Sequence, residues 1–172
     1  MSQYHRLLSI GAHPLDAEIM GGPFLLRYAA RGAACTFVHV TKGRLTDPTA
    51  TEEQKQAEEA LHNEIAEAAA RLNGNCYEMN YLSADLPDTA TFVAKLKAYF
   101  VQEKADCIIT HARGTLHPRH YYTYETVTEA VRQLRSEGRD IRLFYGENCE
   151  DLAGFTPTVY LACYRVNGKI VK

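Results

Sequence analysis

Short β-favouring runs alternate with longer segments of helical period along almost the whole chain, and this alternation restricts the fold more than any other feature. The runs are Leu7 to Ala12, Cys35 to Thr41, Cys76 to Met79, Cys107 to Thr110 and Ile141 to Tyr145. Between them apolar positions recur at helical spacing: Ala57, Leu61, Ile65, Ala68 and Leu72 in one segment, Val93, Leu96 and Phe100 in the next, Val127, Val131 and Leu134 in the last. Strand, crossover helix, strand is the unit from which parallel sheets are built, so the order predicts a layered α/β domain with a mostly parallel sheet. Local punctuation agrees. Thr51-x-x-Gln54 reads as a capping box, and Gly32, Gly74 and Gly138 sit where helices should stop. The first helix is expected from about Asp16, a good N-cap, to Arg31, with a kink or an irregular turn at Gly21-Gly22-Pro23. Thr158 to Val166 reads as one more strand.

The 172 residues suffice for one buried core and are too few for two ordinary domains, so residues 1–172 are read as a single domain. Nineteen Lys plus Arg against 21 Asp plus Glu leave a formal charge of −2, which gives no global positive field for nucleic acid or an anionic membrane. The six Glu between Thr51 and Leu72 read as a solvated helix face. Five cysteines at 35, 76, 107, 149 and 163, without CxxC spacing, argue against a disulfide framework and a thiolate zinc site. No apolar run approaches a membrane span, and MSQYHR is not followed by a signal-peptide pattern. These features together predict a soluble, cytoplasmic protein.

In open parallel sheets chemistry collects beyond the carboxyl ends of the strands, which directs attention to three loops: Gly11 to Glu18, Lys42-Gly43-Arg44, and His111 to Tyr121. His13 and Asp16 stand three apart at a strand-to-helix junction, a spacing that can bring both to one point. A second cluster, His111-x5-His117-Pro118-Arg119-His120, opens onto the same edge. Together they can supply the three nitrogen and oxygen ligands of a catalytic zinc, and the ligand types also suit iron or another divalent ion. Phosphate binding fits less well, because Gly11 to Gly22 forms neither G-x-G-x-x-G nor a Walker A pattern. A serine or cysteine nucleophile lacks an elbow motif.

At these residues the chain resembles the LmbE-like, or PIG-L, N-deacetylase family. The hallmark AHPDD appears here as Ala12-His13-Pro14-Leu15-Asp16, and HPDH as His117-Pro118-Arg119-His120. Further echoes are Thr41 to Arg44, Gly21-Gly22, and the stretch from Gly146-Glu147-Asn148 to Pro157. The resemblance implies a Rossmann-like three-layer α/β sandwich. It also implies zinc ligands His13, Asp16 and His120, with His117 polarising or stabilising the substrate carbonyl. The reaction implied is hydrolysis of an N-acetyl group on an amino sugar or a related small amide. Arg44 is a candidate for holding a substrate phosphate or hydroxyl, and Tyr121, Tyr122 and Tyr124 are candidate specificity residues. Relative to the family the chain is short at its C-terminus, which suits a smaller cleft or edges completed by a second copy in a homo-oligomer.

Two departures bear on activity. Leu15 stands where the family carries its general base, and Arg119 replaces the Asp of HPDH. General acid–base help is worth about 10²- to 10⁴-fold, so a slow zinc hydrolase is one reading of the chain. The other is a catalytically inactive member that keeps the pocket as a metal- or small-ligand-binding regulatory module. Glu18, two residues after Asp16, is turned about 200° around the helix from it and reads as a first-turn acid rather than a replacement base.

Overall fold

The computed structural model describes residues 4–148, 153–161, 164–166 and 169–171. In chain order the elements are β1 (Arg6–Gly11), α1 (Asp16–Ala29), β2 (Ala34–Thr41), a 3-10 turn (Gly43–Thr46), α2 (Glu52–Arg71), β3 (Asn75–Tyr81), α3 (Thr89–Gln102), β4 (Cys107–His111), α4 (Pro118–Ser136), β5 (Arg142–Gly146), β6 (Tyr164–Val166) and β7 (Lys169–Val171). The first five strands form one sheet in the order β3-β2-β1-β4-β5, with every pairing parallel. The fold is thus an α/β three-layer sandwich.

Each strand of the sheet centre divides its side chains between two cores, because successive residues face opposite sides. Leu8, Ile10, Val38 and Ile108 join Phe92, Leu96, Val127 and Leu134 beneath α3 and α4. Leu7, Phe37, Cys107 and Ile109 join Ala17, Leu25, Ala69 and Leu72 beneath α1 and α2. Close approach of α1 to β1 needs small residues at two points. A Cβ on Gly21 would lie 2.2 Å from Ser9 Oγ, and one on Gly11 would lie 2.5 Å from Asp16 Cβ. The buried Ser9 hydroxyl is satisfied by donating to the Ala17 carbonyl at 2.6 Å.

The sequence expectations meet these elements with some corrections. The Thr51–Gln54 capping box is present in both directions. Asp16 is not the N-cap of α1. That position is Leu15, in the left-handed region at φ 77° with no side-chain cap, and Asp16 is the first helical residue. Helix α1 runs through Pro23 as one element. The carbonyl that loses its partner belongs to Ile19, which is 44% exposed, so water can take that bond. In α2 Ile65 and Ala69 are buried, as is Leu72 at its C-cap, while Ala57 is exposed, because the first half of this helix covers polar groups rather than the core. After α2 the left-handed residue is Asn73, at φ 49°, rather than Gly74.

The strand expected at Thr158 to Val166 is present only at Tyr164–Val166, which pairs antiparallel with Lys169–Val171 in a separate ribbon. Residues 158–161 form no strand, and residues 162–163 lie outside the described residues. Pro157, which has no N–H to donate, precedes them. Among the described residues no helix is long and apolar enough to cross a membrane.

The order of the sheet positions the site. The chain builds outward from β1 through β2 to β3, then returns to lay β4 on the other side of β1. Between the carboxyl ends of β1 and β4 the connections diverge, and a crevice opens there.

Candidate metal centre

The β1–α1 junction folds back on Asp16. The backbone N–H of His13 donates to Asp16 Oδ2 at 2.8 Å, and His13 Nδ1 lies 3.2 Å from the same oxygen. From the other side of the crevice, α4 starts with His117 as its N-cap and Pro118 in its first turn. That start sets His120, one helical turn in, with Nε2 3.3 Å from Asp16 Oδ2. His111, the last residue of β4, brings Nε2 to 3.5 Å from the same atom. Asn148, beyond β5, donates its Nδ2 to the other oxygen, Oδ1. One carboxylate thus lies at the meeting point of segments up to 132 residues apart in the chain.

Burial alone would raise the Asp16 carboxyl, but the imidazoles of His111, His120 and His13 outweigh that and hold it well below the usual carboxylate range. It is anionic in the folded protein. The imidazoles differ in their commitments. His111 is 2% exposed, its ring stacks on His120 at 4.1 Å between centroids, and its Nε2 accepts the Ala12 N–H at 3.0 Å. That contact ties the end of β4 to the loop carrying His13. His117 is exposed, with its ring 5.0 Å from His13 and 4.3 Å from His120.

Two groups bring their donor atoms within 4.8 Å of one another here, His13–His117–His120 and Asp16–His111–His120. The trio expected from sequence, His13, Asp16 and His120, draws on both groups, with Asp16 Oδ2 in contact with each imidazole. Zinc bonds of about 2.0–2.2 Å place two tetrahedral N or O donors about 3.4 Å apart. The separations of 3.2 and 3.3 Å from Asp16 Oδ2 to His13 and His120 match that edge, so the donor set fits a divalent ion.

Leu15 is 39% exposed and carries no acid to the crevice. Arg119 directs Nε to Ser83 Oγ at 3.2 Å, across to the loop after β3. Glu18 points away from the cluster, with both carboxylate oxygens 3.1 Å from His39 Nε2. The side chain of Arg44 lies outside the described residues. Of the three tyrosines, Tyr122 packs on Phe92 and donates to the Pro87 carbonyl, which makes it a core residue. Tyr124 instead lines an open cleft of about 770 Å³ beside the crevice, together with Arg113, Tyr145, Glu147, Phe155 and Tyr160. Reading the sequence alone leaves two participants without a role. His111 appears only as part of a histidine cluster, and Asn148 only as part of the Gly146-Glu147-Asn148 echo.

A parallel three-layer sandwich with nitrogen and oxygen donor atoms converging at its switch point defines the class, an α/β protein whose candidate site lies where its sheet order reverses. Within that class the chain belongs to the PIG-L family, GlcNAc-PI de-N-acetylase, whose model matches residues 8–131. That span runs from β1 into α4 and includes every crevice residue named above except Asn148. No curated protein sequence matches the chain. Among solved structures it is similar to the conserved protein TT1542 from Thermus thermophilus, at 23% identity and a TM-score of 0.67, over 87% of this chain and 69% of that one. The N,N'-diacetylchitobiose deacetylase from Pyrococcus horikoshii is similar at 23% identity and a TM-score of 0.62, over 75% of this chain and 50% of that one. GalB, the 4-carboxy-2-hydroxymuconate hydratase of Pseudomonas putida, is similar at 16% identity and a TM-score of 0.63, over 88% of this chain and 62% of that one. These likenesses establish the fold. The chain spans only half of the deacetylase and less than two thirds of the hydratase.

Proposed function

We propose that the chain is a divalent-metal-dependent amide hydrolase that removes an N-acetyl group from an amino sugar or a related small amide. In this reading His13, Asp16 and His120 hold the ion and His117 meets the substrate. The observation that carries it is the convergence of imidazole nitrogens on the anionic Asp16 Oδ2 at the switch point. Family membership favours hydrolysis over hydration, although a hydratase shares the fold. Zinc suits the mixture of imidazole and carboxylate, and when bound it would supply Lewis-acid polarisation and acidify water.

The remaining work falls to the chain's own side chains. Asn148 holds Asp16 Oδ1, which leaves Oδ2 facing the imidazoles. His111 fixes the Ala12–His13 loop through its backbone bond. His117, exposed at the mouth, is placed to hydrogen-bond the acyl oxygen or to exchange a proton with the departing amine. The neighbouring cleft, with Arg113, Tyr124 and Tyr145 on its wall, is the proposed seat for the rest of the substrate. Leu15 supports a second reading, in which the chain is an inactive member that retains ligand or metal binding, since no carboxylate stands in its place.

Metal content after purification, followed by acetate release from N-acetylglucosamine derivatives, tests both. Metal-dependent release by the unmodified chain that vanishes in His120→Ala supports the hydrolase. Release that appears only in Leu15→Asp supports the inactive module. A metal-free protein whose melting temperature does not change on adding zinc rejects the metal assignment in either reading.

A further inference from the structure

A second set of donor atoms lies away from the crevice, on the face of the sheet covered by α1 and α2. The parallel register of β2 and β3 sets His39 opposite Glu78 and Phe37 opposite Cys76. Residues two apart on a strand share a face, so His39, Cys76 and Glu78 all point beneath α2. Their ligand atoms lie within 4.8 Å of one another. His39 Nδ1 is 3.6 Å from Cys76 Sγ. Zinc–nitrogen and zinc–sulfur bonds of about 2.0–2.1 and 2.3 Å, at a tetrahedral angle, separate the two donors by about 3.5 Å.

We propose that His39, Cys76 and Glu78 form a second divalent-metal site, of imidazole–thiolate–carboxylate type and suited to zinc, separate from the crevice and independent of the proposed hydrolysis. The groups behind the donors have the arrangement that such a site requires. Both oxygens of Glu18 sit 3.1 Å from His39 Nε2, which keeps a proton on that nitrogen and leaves Nδ1 as the ring atom that faces the thiol. His62 Nδ1 bonds Glu78 Oε1, with its Nε2 3.8 Å from Glu58, and Lys42 Nζ stands 3.8 Å from Glu78 Oε2. These contacts orient the Glu78 carboxylate from α2 and from the end of β2. Binding releases the thiol proton, and with it any proton on Nδ1, so affinity falls as pH falls. His39 has no exposed surface, which allows an ion there to be held but leaves little room for a substrate. That favours a stabilising or sensing ion over a nucleophilic cysteine.

Cobalt(II) distinguishes the two sites, because a thiolate ligand gives a near-ultraviolet charge-transfer absorption that nitrogen and oxygen donors do not. The full chain carrying His13→Ala and His120→Ala, stripped by a chelator and titrated with cobalt, should show this band at one equivalent. It should be lost in Cys76→Ser and kept in Cys149→Ser. Glu18→Gln should keep the band but weaken cobalt binding by about 10- to 100-fold, the effect of losing a carboxylate behind a ligating imidazole. Should Cys76→Ser fail to fold, zinc protection of Cys76 from alkylation in the double variant replaces it as the readout. A missing band, a band that survives Cys76→Ser, or an alkylation rate unaffected by zinc overturns the proposal. Rapid, zinc-insensitive alkylation would point instead to a thiol activated by His39.

Discussion

The crevice between β1 and β4 and the pocket beneath α2 draw on similar side chains but are assembled in opposite ways. In the crevice, loops and helix ends carry His13, Asp16, His117, His120 and Asn148 from three separate stretches of chain, and one imidazole is open to solvent. In the pocket, His39, Cys76 and Glu78 sit on adjacent strands whose register is set by backbone hydrogen bonds, with the imidazole fully enclosed. Loop-borne donors beside a cleft leave an approach for substrate and can shift during a reaction. Strand-borne donors between layers are held rigidly, and here only the imidazole is fully closed off, while Cys76 and Glu78 stay partly exposed. The contrast in assembly suits the crevice to the proposed reaction and the pocket to the proposed retention of an ion.

Asp16→Ala should have the largest effect. It removes the carboxylate on which the crevice imidazoles converge, so acetate release and crevice metal should both fall below detection while the cobalt band of the pocket persists. Loss of both would show that the two regions are not independent. Leu15→Asp comes next, with a gain in hydrolysis of about 10²- to 10⁴-fold if the missing base is what limits turnover. Leu15 also holds a left-handed conformation that costs a leucine about 1–2 kcal/mol and that Asp or Asn tolerates better. Leu15→Asn should therefore raise the melting temperature without the gain in rate, separating strain from chemistry. In Asn148→Ala, competition with a chelator should show crevice affinity reduced by about 10- to 100-fold, with pocket affinity unchanged.

The smallest effect concerns pH. Burial works against a charged His39, but Cys76 and Glu18 prevail and push it up to about 9 in the metal-free chain, above its ordinary value near 6.5. A group raised on folding contributes stability that is complete below its unfolded pKa and disappears as pH rises through the folded one. Metal-stripped protein should therefore melt at progressively lower temperature between about pH 6.5 and 9. Glu18→Gln should flatten that decline in a thermal-melt series. A slope unchanged by Glu18→Gln would mean that the carboxylate does not hold His39 charged.

Much of the architecture is legible from residue order. The five strands, the capping box at Thr51 and the placing of His13, Asp16, His117 and His120 at strand carboxyl ends all follow from local pattern. The resemblance in the two histidine motifs adds a family that the match over residues 8–131 bears out. Other features escaped local reading. Asp16 looks like a cap because short acids usually cap, yet the turn is closed by its bond to the His13 N–H while Leu15 occupies the cap in a left-handed conformation. Glu18 looks like a helix-dipole acid, and only the position of β2 shows that it faces a buried histidine.

The sequence by itself determined what is short-range: which segments are strands or helices, where several of them start and stop, and which ligand-type side chains lie at their ends. These follow from periodicity, capping and turn preference, which act over a few residues. Only the tertiary structure decided which ends meet. The return of β4 to the free side of β1 brings His111, His120 and Asn148 to Asp16, and the pairing of β3 with β2 brings Cys76 and Glu78 to His39. Those encounters depend on strand order and register, which are settled by burying two apolar cores at once rather than by any residue's nearest neighbours in the chain.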